Sequence, residues 1–236
     1  MPFISANGIR IYYEIHGEGE PLVLIPGLAS DITEYAAMIR EFAQSYQVIA
    51  FDNRGAGRTD KPDVPYSIDL MAADTACLIK ALGIKPAHVL GISMGGRIAV
   101  ALALGHPEHV KSLILVSTFV KRVPLGWLGH LLMTSMLWVP VLQSLGKQQR
   151  QPFSALARQR DASRNYDAAD RLGEIAVPTL IIHGTTDHLA PFPLAEEMHA
   201  GIKGSKLIAY KGGHLVAFLN QKQFVSDVLS FVDSCR

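Results

Sequence analysis

Six short stretches constrain this chain more than anything else in it: "PLVLIPG", "YQVIAFDNRG", "HVLGI", "VKSLILVS", "PTLIIHG" and "SKLIAY". Each holds a nearly unbroken apolar run. A strand with one wet face alternates apolar and polar residues, whereas an unbroken run is apolar on both faces and must be covered on both. Segments with helical spacing lie among the runs. In "TEYAAMIREFAQ", Tyr35, Met38, Ile39 and Phe42 share a face. "SIDLMAADTACLIKALG" has Ser67 or Asp69 near its start and Gly83 as a stop, and "GGRIAVALALGHP" is closed by Pro107. "FISANGIRIYYEI" reads as an opening hairpin that turns at Asn7-Gly8, and "FVSDVLSFVDS" as a closing helix. This order predicts an α/β fold: a mostly parallel central sheet with helices on both faces.

The 236 residues are 49% apolar, enough for one sizeable core. A formal net charge of +1 argues against a broad electrostatic footprint for nucleic acid. "NRGAG" lacks the glycine spacing of a dinucleotide fingerprint, and no P-loop pattern is present. Cys77 and Cys235 are far apart and show no metal-type spacing, so they read as free thiols of a reducing compartment. "MPFISANGIRIYYEIHG" has no basic start followed by an apolar stretch. A cytoplasmic location is the expectation.

Chemistry enters at "HVLGISMGGRIAV", where Gly91-Ile92-Ser93-Met94-Gly95 matches G-x-S-x-G between an expected strand and an expected helix. Small residues on either side of a strained strand-to-helix turn relieve crowding, so the turn can raise Ser93 Oγ above the sheet as a nucleophile. The helix start behind it offers unpaired N–H groups and a positive dipole end. A serine at its free pKa is a poor nucleophile and needs a base and a group that orients the base. On this architecture they follow in the order acid, then histidine, each after a later strand. "TLIIHGTTDHLAP" supplies Asp187 and "KLIAYKGGHLVAF" supplies His214.

Other residues compete for these roles. His106 and His109 flank a helix end, His88 begins a strand, His183 reads as structural, and His188 adjoins Asp187 too closely to receive its carboxylate. Asp52 reads as a loop organiser pairing with Arg54 or Arg58, and "LVSTF" ends a strand without a carboxylate. The oxyanion formed in acyl transfer needs backbone donors. The N–H of Met94 follows the nucleophile, and Gly27 lets the loop "LIPGLASD" offer the N–H of Leu28.

"PLVLIPGLASD", "VIAFDNRGAGRTDKP", "AHVLGISMGGRIAVALALGHPEHVKSLILVS", "IAVPTLIIHGTTDHLAP" and "YKGGHLVAFLN" together resemble recurrent blocks of the α/β-hydrolase superfamily. In style they are similar to its small esterase, enol-lactonase and cofactor-free haloperoxidase-like members. The resemblance implies a Ser–Asp–His hydrolase acting on a small-molecule ester or lactone, with no metal and no organic cofactor. It covers nearly the whole chain except an insertion. Where the family commonly has His-Gly in the oxyanion loop, this chain has Pro26-Gly27.

The insertion divides the chain into a core segment 1–118, a short helical cap 119–170 and a second core segment 171–236. "LGWLGHLLMTSMLWVPVLQSLGK" is its most apolar part, but it carries His130 and Pro140 and falls short of a clean run of about 20 apolar residues, so no stable membrane span is expected. Trp127, Leu128, Leu131, Leu132, Met136, Leu137 and Trp138 are more apolar surface than one short helix shows to water. The expectation is that part of it covers Ser93 over a shallow acyl pocket favouring short-chain esters, and that the rest forms a homodimer contact. Two other functions fit the same frame: C–C bond hydrolysis on the same three residues, and a non-catalytic hydrolase-like receptor for a small ligand. Turnover as against stoichiometric binding separates the receptor from the enzymes.

Overall fold

The computed structural model describes residues 2–122 and 151–235. Its centre is an eight-stranded sheet. In chain order the strands are β1 (Phe3–Ala6), β2 (Ile9–His16), β3 (Pro21–Ile25), β4 (Gln47–Phe51), β5 (Ala87–Ile92), β6 (Val110–Val116), β7 (Thr179–Gly184) and β8 (Lys206–Tyr210). Across the sheet they lie in the order β1-β2-β4-β3-β5-β6-β7-β8. The opening hairpin and the β2–β4 pair are antiparallel, and every pairing from β4 through β8 is parallel. Asn7 and Gly8 have φ of 49° and 75°, as the tight hairpin turn requires.

The helices are α1 (Ala36–Phe42), α2 (Ile68–Ala81), α3 (Met94–Gly105), α4 (Phe153–Asn165), α5 (Phe192–Gly201), α6 (Val216–Leu219) and α7 (Gln221–Asp233). Ser67 caps α2 by accepting from the Leu70 N–H at 3.0 Å, and Gly83 ends that helix with φ of 64°. The first turn of the expected helix at Tyr35 is instead a 3₁₀ turn, Ile32–Tyr35, because Asp31 caps it by accepting from the amide of Thr33. Helix α5 carries no apolar periodicity strong enough to read from sequence; only Ala195 and Met198 are buried along it.

Unbroken apolar runs are explained by two cores, one on each face of the sheet. Val23, Ile25, Val89, Leu113, Leu115 and Ile181 face α2, α3 and α5. Their immediate neighbours Leu22, Leu24, Leu90, Ile114, Val116 and Ile182 face α1 and α7. Successive side chains of one strand thus enter opposite cores, so both faces are apolar except where a buried polar side chain finds a hydrogen-bond partner. Each fully buried aliphatic side chain contributes about 1.5–3 kcal/mol. Strand β8 is the exception: it lies at the sheet edge and only Tyr210 along it is buried.

The loop after β4 is anchored by an ion pair inside the protein. Arg54 Nε and Nη2 donate to the two Asp74 carboxylate oxygens at 2.7 and 2.6 Å, and Asn7 Nδ2 donates to Asp74 Oδ1 at 2.7 Å. Both charged side chains are 5% exposed or less. Arg54 therefore does not pair with Asp52. Asp52 organises the same loop through backbone amides, accepting from Ile32 at 2.9 Å and Arg58 at 2.8 Å. Asp74→Ala leaves a guanidinium buried without its counter-charge, and the expected loss of stability is about 3–5 kcal/mol by urea unfolding. The double change Arg54→Met/Asp74→Ala is expected to cost less than Asp74→Ala alone.

Of the 119–170 insertion, the described part runs from Phe119 to Arg122 and from Gln151 onward, and it contains α4. The apolar run with Trp127, Leu128, Leu131, Leu132, Met136, Leu137 and Trp138 lies outside the described residues. Among the described residues, no helix is long and apolar enough to cross a membrane.

Candidate active site

Six parallel strands, β3 to β8, point their C-terminal ends the same way, and the expected site residues gather there, at the edge where open α/β sheets place their ligand crevice. Ser93 follows β5 directly and occupies the cap position of α3 with φ of 55° and ψ of −117°. A non-glycine residue in this region costs on the order of 1–3 kcal/mol. Its surroundings hold it there. The Ser93 N–H donates to Val116 O of β6 at 2.9 Å, and the Ser93 carbonyl accepts from Thr118 Oγ1 at 2.7 Å and from the Gly96 N–H at 3.0 Å.

The flanking glycines are required by space. A Cβ on Gly91 would stand 2.3 Å from Gly95 O, and one on Gly95 would stand 2.1 Å from Ile25 O. The start of α3 therefore lies against the strand before it and the end of β3. Ser93 sits where a helix-capping serine would, yet its hydroxyl makes no cap hydrogen bond. It turns to His214, with Oγ 3.0 Å from Nε2.

His214 follows β8, and its Nδ1 lies 2.8 Å from Asp187 Oδ2. Asp187 follows β7 in a turn stitched to the histidine loop: Thr185 N–H donates to Tyr210 O and Thr186 N–H to Gly212 O. Asp187 Oδ1 accepts from the amides of Leu189 and Ala190 at 2.8 and 2.9 Å. Burial alone would raise the Asp187 pKa. The hydrogen bond and charge of His214, with the two amides, outweigh it and hold the carboxyl below its usual range. His183 sits fully buried beside it, its Nε2 2.6 Å from Ala190 O. That carbonyl can only accept, so the proton is on Nε2. Burial pushes the His183 pKa down and keeps the ring neutral.

The loop Pro26–Ser30 lies against Ser93: a Cβ on Gly27 would be 3.5 Å from Ser93 Cβ. Side chains restrain it at several points. Asn53 Nδ2 donates to Pro26 O, the Gly27 N–H donates to the Tyr35 hydroxyl at 3.0 Å, and the Ala29 N–H donates to Gln159 Oε1 at 3.3 Å. Of the amides at 27, 28 and 29, two are therefore committed. Among the described residues, the amides of Leu28 and Met94 have no acceptor. Met94 opens α3, where the dipole favours negative charge.

His214 is thus within hydrogen-bonding reach of both Ser93 and Asp187, Met94 follows the serine, and Leu28 adjoins Gly27 beside it. The competing residues lie elsewhere. His88 bonds Ser112 Oγ at 2.7 Å inside the sheet, and His106 and His109 flank the end of α3. Sequence reasoning missed Tyr35 and Gln159. Tyr35 reads as an ordinary apolar helix position. Gln159 sits in the polar stretch "ALARQRDASRN", where nothing separates it from a solvent-facing glutamine.

Residues 20–164 match the family described as the alpha/beta hydrolase fold. The chain belongs to that family. Among its relatives, this alpha/beta hydrolase is 30% identical to the AB hydrolase superfamily protein YisY of Bacillus subtilis, over 94% of each chain. The enol-lactonase from Burkholderia xenovorans LB400 superposes with a TM-score of 0.88 at 25% identity, covering 98% of this chain and 100% of that one. The esterase from Exiguobacterium antarcticum superposes with a TM-score of 0.84 at 29% identity, covering 98% of each.

Proposed function

We propose that this hydrolase cleaves a small carboxylic ester or lactone by acyl transfer to Ser93. The observation that carries the reading is the relay from Ser93 Oγ through His214 to Asp187, at 3.0 and 2.8 Å, beside two uncommitted backbone amides. His214 Nε2 takes the hydroxyl proton as Oγ bonds to the substrate carbonyl carbon. The carbonyl oxygen gains the negative charge and accepts from the amides of Leu28 and Met94. Asp187 holds the Nδ1 proton and stabilises the imidazolium. The alcohol then leaves, taking the proton from Nε2, and water repeats the sequence in reverse on the acyl-enzyme. In a lactone the alcohol remains tethered to the acyl group. The likeness to an enol-lactonase and an esterase supports this substrate class.

Acid should stop the reaction through one proton. Asp187 is held below its usual range and stays ionised at mildly acid pH, and His183 is kept neutral by burial. Protonation of His214 then removes the only acceptor for the serine proton. kcat/KM is expected to fall in acid along a limb of unit slope. A pH–rate profile checks this, and an acid limb steeper than one proton would contradict it.

A panel of p-nitrophenyl esters, alkyl esters and lactones, run with Ser93→Ala as background, tests the substrate class. Turnover of esters or lactones that disappears in the variant is the expected result. Stoichiometric binding without turnover would favour a receptor. Turnover confined to a dienoic meta-cleavage substrate would favour C–C hydrolysis.

A further inference from the structure

We infer that Gln159, a residue of the insertion helix α4, is a positioning residue for the oxyanion loop; this rests on the reading of Leu28 as an oxyanion donor given above. Gln159 is completely buried, and its amide bridges two loops of the hydrolase core. Oε1 accepts from the Ala29 N–H at 3.3 Å and from Gln151 Nε2 at 3.0 Å, while Nε2 donates to Arg54 O at 2.7 Å. The amide can be oriented only one way, because Arg54 O requires a donor and the Ala29 N–H requires an acceptor.

The loop needs such a restraint. Its turn, Gly27–Ser30, is closed by a long hydrogen bond of 3.4 Å from the Ser30 N–H to Gly27 O. Ala29, within it, has φ of 63°, a left-handed conformation that an alanine resists. Relaxation of Ala29 would rotate the 28–29 peptide and swing the adjoining Leu28 backbone. It would also free the Ala29 amide. Gln159 opposes both by occupying that amide, and it does so from a firm base. Arg54, whose carbonyl it grips, is fixed by the buried pair with Asp74. Together with Tyr35 on the Gly27 amide, Gln159 leaves the Leu28 N–H as the uncommitted donor of the three. The insertion is then part of the catalytic frame in addition to any covering role.

A structural role alone would affect stability but not the transition state in particular. Helix α4 offers a control, because the buried Arg97 anchors it at a second point: its guanidinium donates to Ser163 O and stacks over the Phe119 ring at 4.0 Å. Gln159→Met keeps the volume and removes the hydrogen bonds. It is expected to lower kcat on a short ester about tenfold with KM within about twofold, and to weaken a trifluoromethyl ketone transition-state analogue by the same factor. Arg97→Met is expected to lower Tm while leaving kcat within about twofold. Gln159→Asn, too short to span both loops, gives the same reading as Gln159→Met should the latter not fold. An unchanged kcat in the Gln159 variants, or an equal loss of kcat in Arg97→Met, would overturn the inference while Ser93→Ala remained inactive. Activity retained in Ser93→Ala would overturn the reading of the site and this inference with it.

Discussion

Ser93→Ala is expected to lower kcat by about 10³-fold or more, with KM little changed. In the proposed mechanism this substitution removes the atom that bonds to the acyl carbon. The Leu28 and Met94 amides of that mechanism remain to bind and polarise a carbonyl, and any residual rate is expected to come from them. The effect should be confined to chemistry. Alanine retains the Cβ, so the strained backbone at φ of 55° and its bonds to Val116 O and Thr118 Oγ1 persist. Folding is expected to be unaltered within about 0.5 kcal/mol. Single-turnover rates and thermal unfolding of the same preparation check the two halves of this expectation.

Asp187→Asn should be nearly as damaging, about 10³–10⁴-fold in kcat, for a reason specific to how this carboxylate is held. Oδ1 accepts from the amides of Leu189 and Ala190, and both are donors with no alternative role. In the variant the asparagine oxygen must take that position. Its NH₂ group then faces His214 Nδ1 and forces that nitrogen to be the acceptor. The imidazole proton moves to Nε2, which can no longer receive the proton of Ser93. The backbone amides fix the side-chain flip, and the flip fixes the wrong tautomer. Fluorophosphonate labelling should slow in parallel with kcat, because both need the same proton transfer. Near-normal labelling would show that His214 does not depend on Asp187 for its orientation.

The sheet was legible because burial on both faces leaves an unmistakable mark. Val23 and Leu24 enter opposite cores, so both had to be apolar. The strand-to-helix turn at Ser93 was equally legible, since Gly91 and Gly95 are spaces no side chain could occupy. Asp187 and His214 follow their strands closely, so strand ends together with the expected order of acid before histidine drew attention to them. Helix α5 was hidden because it buries little. Gln159 was hidden for a deeper reason: a glutamine is polar whether it faces water or holds two distant loops 105 and 130 positions away. Side chains whose importance lies in long-range hydrogen bonds leave no periodic trace, and Tyr35, fully at home as an apolar position, conceals its hydroxyl in the same way.

The most direct test of Ser93 as the acyl-accepting nucleophile is peptide mapping by mass spectrometry after brief exposure to a fluorophosphonate. One adduct per chain, located on Ser93, slowed by excess ester and absent from Ser93→Ala, is the predicted result. An adduct on any other residue, or full labelling of Ser93→Ala, would contradict it.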